Sequence, residues 1–589
     1  MQNYQALKLK VMELIRDAKL RFYENKTAIL RSTDPSKWFK SIYRLCGDGG
    51  SANQVPSSEN LTEIAEKLQE AFTRPWHDFT PTMAEVQPDR LPVSSPRLPS
   101  IGQVKNVLKQ LNARKATGAD NIPAWVFKRF AEELAVVTHD IITASIVQNK
   151  YPTMYKHALV SPVPKVHPPE KIESDFRQIS VLPVMAKILE KVQIFLNKDQ
   201  LSTKNNQHAF AHGRSTLSAL INISQNWFND TDNKLHGRKS IHALFVDFSK
   251  AFDLVDHSVL LNKLKQLNIN TSLWLWIQSF LTDRTQQVKL PGALSTKSSC
   301  PAGVPQGSVL SPLLFNIFID DIDDAIPANL CDRVRVCKYA DDCTFYESIS
   351  TNDDPSMQVV LNSIHEWTTS NHMLINSKKT KDMLLTFRKS PTIPDSLHLG
   401  NCELERVNVF KLLGVWFQDD LRWNHHIEEM TKKANKRLFL LRECRKANLP
   451  KDVGITLYNT KIRPLLEYAS PVWGGLPNYL SEEVQRVQDR SLSIIGVPRN
   501  ALPALHERRS STTKREFEKI LKEESNPNNV FLKSAPKNQY NLRSGRSTYI
   551  EMSGTDRHQR SFIPRAHKLC CELHLNELDL RNNMCRMWT

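Results

Sequence analysis

The 589-residue chain has no CxxC pair: its 10 Cys are scattered, and only Cys570 and Cys571 are adjacent. Neither a disulfide framework nor a zinc module is indicated, and a reducing compartment fits this usage. No run of 18 apolar residues occurs, and the opening MQNYQALKLK has no apolar signal segment. The expectation is an intracellular protein of the nucleus or cytoplasm, neither secreted nor spanning a membrane. No internal repeat is evident.

What is present is a globular composition with an excess of positive charge. Hydrophobic residues make up 40% and charged residues 24%, enough for a sizeable core. Lys and Arg number 79 against 62 Asp and Glu, a formal net charge of +17. Such a balance is the electrostatic footprint of a nucleic-acid partner, although acidic membranes and acidic proteins also attract it. The length calls for several folding units.

Along the chain, residues 4–45 place Leu7, Val11, Leu14, Ile15, Ala18, Leu20 and Phe22 at helical spacing among many Lys and Arg. Residues 1–75 read as a basic helical N-terminal extension. Six prolines between Pro75 and Pro99 mark 76–100 as an extended linker or a loop wrapped on a surface. Residues 101–420 mix helical pattern with β-branched and aromatic runs, an α+β unit, and 421–505 return to helix. Residues 506–560 are polar with little periodicity and are expected to be disordered, leaving 561–589 as a tail.

Two segments concentrate carboxylates beside apolar strands. Ile241-His-Ala-Leu-Phe-Val-Asp247 reads as a buried strand delivering Asp247 to its end. An acid beside a core needs a cation, a metal or a helix to cap. Arg333 to Tyr346 reads as two strands joined by a tight turn holding Asp341 and Asp342. A turn needs only one Asp. Two adjacent acids repel, and bound divalent cations would relieve that repulsion, an arrangement suited to nucleotidyl transfer.

Tyr339-Ala-Asp-Asp342 resembles the YxDD motif of reverse transcriptases, and Phe245-Val-Asp-Phe-Ser-Lys-Ala-Phe-Asp253 resembles their first palm motif. The segment Ala302-Gly-Val-Pro-Gln-Gly-Ser-Val-Leu-Ser-Pro-Leu-Leu-Phe315 is similar to the PQGSxLSPxLF motif, again in the expected order. The resemblance covers about 105–500, is strongest over 157–418, and is to the enzymes of non-LTR retrotransposons. It implies a right-hand polymerase fold: fingers, an antiparallel-sheet palm and a helical thumb. It also implies RNA-directed DNA polymerase activity, with Asp247, Asp341 and Asp342 catalytic. Two Mg²⁺ ions, with Mn²⁺ as a substitute, would be held by these three and by the backbone carbonyl of Phe248. The implied partners are an RNA template, a DNA primer or target, and dNTPs; the oligomeric state is left open.

The same resemblance assigns nucleotide-binding roles. Lys165 and Arg177, in two halves of a fingers hairpin, would meet the triphosphate, as a point charge and a bidentate fork. Phe252 would be the aromatic steric gate against a 2′-hydroxyl, Gln306 and Gly307 would lie against nucleotide and template, and Lys379 would protonate pyrophosphate. By residue type alone, Phe252 reads as core, and the three cations read also as solvated surface. Phe410 to Phe417 resembles the primer-grip hairpin, with Gly414 at its bend; His425 and His426 read as packing and capping residues. Residues 431–451 carry Lys432, Lys433, Lys436, Arg437, Arg442, Arg445, Lys446 and Lys451 against the single acid Glu443, which suits a thumb helix tracking duplex phosphates. Two positions depart from the family: Gln178 stands where Pro is usual, and Ala209 where Gly is usual. These leave room for a second reading, a catalytically degenerate, nucleic-acid-binding remnant. Nothing in 1–100 resembles an endonuclease and no RNase H acid set follows 500, so a fragment, a trimmed gene model or a captured copy of an element is expected.

Overall fold

The computed structural model describes residues 60–77, 91–232, 237–534 and 553–570 apart from a few single positions, with short pieces within 10–21 and at 548–549. The basic helices expected over 4–45 lie almost entirely outside these residues. Among the described residues, no helix is long and apolar enough to cross a membrane.

Two sheets organise the chain. The lateral sheet pairs β1 (His157–Pro164) antiparallel with β2 (Phe176–Val181) and parallel with β4 (Thr285–Leu290). Helix α1 (Leu61–Thr73) covers it, burying Ile64, Ala65, Leu68 and Phe72 against Val160, Val288 and Leu290. The end of the expected N-terminal extension is therefore part of the folded body. Its four apolar residues share one face of the helix, and the sheet needs that face covered.

The central sheet has the order β8-β7-β3-β6-β5, formed by β3 (Ser240–Val246), β5 (Val334–Tyr339), β6 (Asp342–Ile349), β7 (Lys381–Leu385) and β8 (Glu405–Arg406). Every residue of β3 is buried. Side chains alternate across a strand, so its two faces enter different cores. Ile241, Ala243 and Phe245 join a cluster with Trp227 and Phe228 of α2 (Thr216–Asp232). Leu244 and Val246 join a second cluster with Leu314 and Phe315 of α3 (Ser311–Ile319). A continuous apolar run is what a strand covered on both faces requires.

A hairpin of Val409–Leu412 and Val415–Gln418 leads into α4 (Asn424–Lys446), which buries Ile427, Met430, Ala434, Leu438 and Leu441. The stretch expected to be disordered begins instead with α5 (Leu505–Lys522), whose Leu505, Arg509, Thr513, Phe517 and Ile520 are buried. Those residues form a single stripe at helical spacing, which average polarity conceals. Residues 553–570 are ordered too: Phe562, Ile563 and Ala566 enter the core, and the Ile563 N–H donates to Gln225 Oε1 on α2 at 3.1 Å.

The helix supplies a first test. Phe517 is only 1% exposed, so Phe517→Ala should cost about 3–5 kcal/mol and lower the denaturation midpoint. A disordered tail would tolerate the change with no shift in a urea titration.

Candidate active site

The site forms where the central strands end. Val246 of β3 pairs with Cys343 of β6 as the last step of an antiparallel register, so Asp247 leaves the strand at the end where Asp342 begins β6. On the other side, Tyr339 pairs with Asp342, so Ala340 and Asp341 form a two-residue turn. Ala340 has φ of +56°, a conformation that costs a residue with a Cβ about 1–2 kcal/mol. The buried Gln207 amide offsets it: Gln207 Oε1 accepts the Ala340 N–H at 3.0 Å and the Ala209 N–H at 2.9 Å. Backbone bonds from Lys338 N to Asn206 O and from His208 N to Lys338 O, both 2.8 Å, tie the same segment to the hairpin. The buried Lys338 ammonium reaches Asp323 Oδ1 at 2.9 Å.

The loop 374–380 holds Asp247 from the opposite side. Asp247 N–H donates to Thr380 Oγ1 at 3.2 Å, Asp247 O accepts the Asn376 N–H at 2.8 Å, and Phe248 bridges Ile375. The loop also brings Lys379 Nζ to 3.6 Å from Asp247 Oδ2.

Charge is concentrated here. Burial raises the Asp341 pKa, and the Asp247 charge adds to it, while Arg177 and Lys379 oppose. Asp342 is exposed, yet desolvation by neighbouring protein, then the charges of Asp341 and Asp247, push it up to about 6. Among the described residues no three acidic, imidazole or thiol groups close into an ion cage. The three aspartates instead make an open cluster, and Asp247 Oδ2 accepts no hydrogen bond. A cluster of hard, anionic oxygens with unused lone pairs suits Mg²⁺ or Mn²⁺.

Cations border the acids. Lys165 follows β1, its N–H donating to Asp175 O at 2.6 Å and its ammonium to Ser174 O at 3.0 Å. Its pKa is lowered by burial and then by Lys379 and Arg177. The three cations nominated from sequence thus share one electrostatic neighbourhood.

The loop 302–307 lies beneath. Gln306 Nε2 donates to Asp253 Oδ1 at 2.7 Å and Gln306 O accepts the Ser180 N–H at 2.8 Å. A Cβ on Gly307, where φ is +148°, would stand 2.1 Å from Ser180 O, so only glycine fits. Phe252 is half-buried and stacks on Phe315, with ring centroids 4.2 Å apart at 18°.

Sequence reasoning missed the residues that hold this machinery. Glu190, fully buried, accepts from Ser308 Oγ at 2.7 Å, Val309 N at 2.6 Å, Leu310 N at 3.2 Å and Tyr151 OH at 3.0 Å, anchoring the start of α3. The signal was an acid at a helical position among Ile188, Leu189 and Val192, which share a buried face. Asp253 closes the first palm-motif segment and Gln207 lies two residues before Ala209, yet neither residue type alone points to a role. Of the two departures from the family, Gln178 is buried with its Oε1 unpartnered, and Ala209 is buried with its carbonyl accepting from Asn316 Nδ2 at 2.8 Å.

An acidic strand end beside an acidic hairpin turn, bordered by cations, could hold divalent metal ions against a phosphate-bearing ligand. Residues 163–417 match the family model for reverse transcriptase (RNA-dependent DNA polymerase). Residues 423–463, largely α4, match the model for alkylated DNA repair protein alkB homolog 8, N-terminal. The chain is 23% identical over 514 residues to a probable RNA-directed DNA polymerase from transposon BS of Drosophila melanogaster, covering 82% of this chain and 56% of that one. It is 25% identical over 403 residues to the corresponding polymerase from transposon X-element of the same organism, covering 67% and 43%. To the RNA-directed DNA polymerase from mobile element jockey it is 26% identical over 413 residues, covering 68% and 44%. The chain thus spans about half the length of the curated relatives it matches. Residues 163–417 thus carry a match to the reverse transcriptase family, and the chain is similar to RNA-directed DNA polymerases of transposons and mobile elements.

The raised Asp342 pKa fixes a sign. Between an ordinary carboxylate value near ~4 and about 6, the folded chain binds the extra proton, so stability falls as pH rises through this window. In EDTA, Asp342→Asn should melt at a higher temperature than wild type above pH 6, with the advantage shrinking towards pH 4. A gap independent of pH would contradict the shift.

Proposed function

We propose that this chain is an RNA-directed DNA polymerase that extends a primer 3′-hydroxyl with dNTPs on an RNA template. The observation that carries the proposal is the Val246–Cys343 pair that ends the β3–β6 register, since it brings the next residue, Asp247, to the hairpin turn of Asp341 and Asp342. In this reading the central sheet is the palm, the lateral sheet with Lys165 and Arg177 belongs to the fingers, and the helices after 421 form the thumb. The basic residues of 431–451 face duplex phosphates, which makes affinity fall steeply with salt.

Two Mg²⁺ ions, or Mn²⁺, held by Asp247, Asp341, Asp342 and the Phe248 carbonyl would activate the 3′-hydroxyl and neutralise the departing pyrophosphate. The chain's own groups do the rest. Lys165 and Arg177 neutralise triphosphate charge, and Lys379, already paired with Asp247, donates a proton to pyrophosphate. Gly307 permits close backbone approach, and the Gln306 side chain borders the nucleotide. Phe252 excludes a 2′-hydroxyl, its plane fixed by Phe315.

Asp341→Asn removes charge from the acidic cluster and leaves the basic helices intact. Primer extension on poly(rA)/oligo(dT) with Mg²⁺ should be abolished while duplex affinity, read by fluorescence anisotropy, changes less than about twofold. Turnover equal to wild type would rule out the assigned role.

Phe252→Ala separates a gate from a core residue. Opening the sugar pocket should raise the rNTP-to-dNTP ratio of kcat/KM, because discrimination is differential. Loss of the Phe315 stack also lowers the melting temperature. A fixed ratio with a lowered melting temperature would assign Phe252 to the core alone.

A further inference from the structure

The segment Leu61–Trp76 lies upstream of the matched residues 163–417, yet it reaches the loop that follows Asp247. Two contacts bracket that loop. Lys250 Nζ donates to Ala71 O, in the last turn of α1, at 3.2 Å. Trp76 Nε1 donates to the Asp253 carbonyl at 2.7 Å. Lys250 itself sits at φ of +50°. A non-glycine residue in the left-handed region is held there by its surroundings. The loop between these anchors carries Phe252, whose carbonyl accepts the Val304 N–H at 2.9 Å.

Asp253 is the junction. Its carboxylate accepts from Gln306 Nε2 at 2.7 Å. Its carbonyl is pinned between the Trp76 indole and Gly303, where a Cβ would approach to 2.6 Å. The neighbouring Gly303 N–H donates to Val255 O at 2.8 Å. The indole bond thus fixes the peptide from which the carboxylate projects, and that carboxylate fixes the amide of Gln306. Trp76 is 8% exposed and follows Pro75 in a short 3-10 turn, so its ring has little freedom.

We propose that Leu61–Trp76 is a working part of the nucleotide pocket, with Trp76 a positioning residue that acts through Asp253 on Gln306. The proposal rests on the polymerase reading for its kinetic consequence but not for its structural one. Trp76→Phe keeps the aromatic packing and removes only the indole N–H. Asp253→Asn tests the same chain one link further on.

Two measurements decide it. In steady-state primer extension, Trp76→Phe should raise the dNTP KM about fivefold, the loss expected from one neutral hydrogen bond, with kcat and primer–template affinity within about twofold. Asp253→Asn should raise the same KM. Amide hydrogen exchange should speed up in Trp76→Phe over 250–256 and 302–307, with the α1 peptides and the melting temperature unchanged. An unaltered KM together with unaltered exchange overturns the proposal. So does a melting-temperature loss that lowers kcat, KM effects and duplex binding together, since that marks a packing role. If the wild-type chain extends no primer, the polymerase reading falls, and the exchange pattern alone still decides whether Trp76 holds the loop.

Discussion

The site depends on one register: Val246 against Cys343, at the last step of a pairing that runs the full length of β3. Side chains alternate with a period of two. A slip of one residue would turn Leu244 and Val246 into the wrong core and move Asp247 away from Asp342. The acids oppose this arrangement, since three carboxylates brought together repel. What holds them is the apolar burial of β3 on both faces, which a slip would forfeit at about 25 cal/mol for each Å² exposed.

Buried polar groups refine what the cores impose. Gln207 holds the Asp341 turn, Glu190 the start of α3, Asp253 the Gln306 loop. Behind them, His242 Nε2 and Asp382 Oδ2 lie 2.8 Å apart with neither side chain exposed, and Arg406 Nε donates to the same Asp382 oxygen at 2.7 Å. Desolvating such groups costs as much as their pairing returns, so they add little net stability. Their hydrogen bonds are directional, however, and admit one backbone arrangement where apolar packing tolerates several.

Much of this was legible in the sequence because chemistry and pattern coincided. Asp247, Asp341 and Asp342 interrupt apolar strands, where an acid is conspicuous, and the Gly-Pro loop at 303–307 declares a close backbone approach. The supporting groups were not legible. Gln207 and Glu190 look ordinary until the chain folds, and their partners lie as far as 133 and 120 residues away. Helix α5 was hidden for a different reason: its one apolar stripe is diluted by charged residues on every other face. Trp76 sat among prolines that read as linker, and the prolines did not disclose that the ring turns inward.

Residues 554–563 lie against α2 through His558 Nδ1, 2.9 Å from Asp232 Oδ2, and through the Gly554 N–H, which donates to the same oxygen at 2.6 Å. These contacts join positions 326 and 322 residues apart. During translation, at roughly 5–20 residues per second, α2 leaves the ribosome long before its partner has been made. For that interval the core containing Trp227 and Phe228 stays open on one side, and apolar surface that will later be covered remains accessible to chaperones. A ribosome that stops early therefore releases a chain in which the acidic strands have been made but the layer supporting them is unfinished.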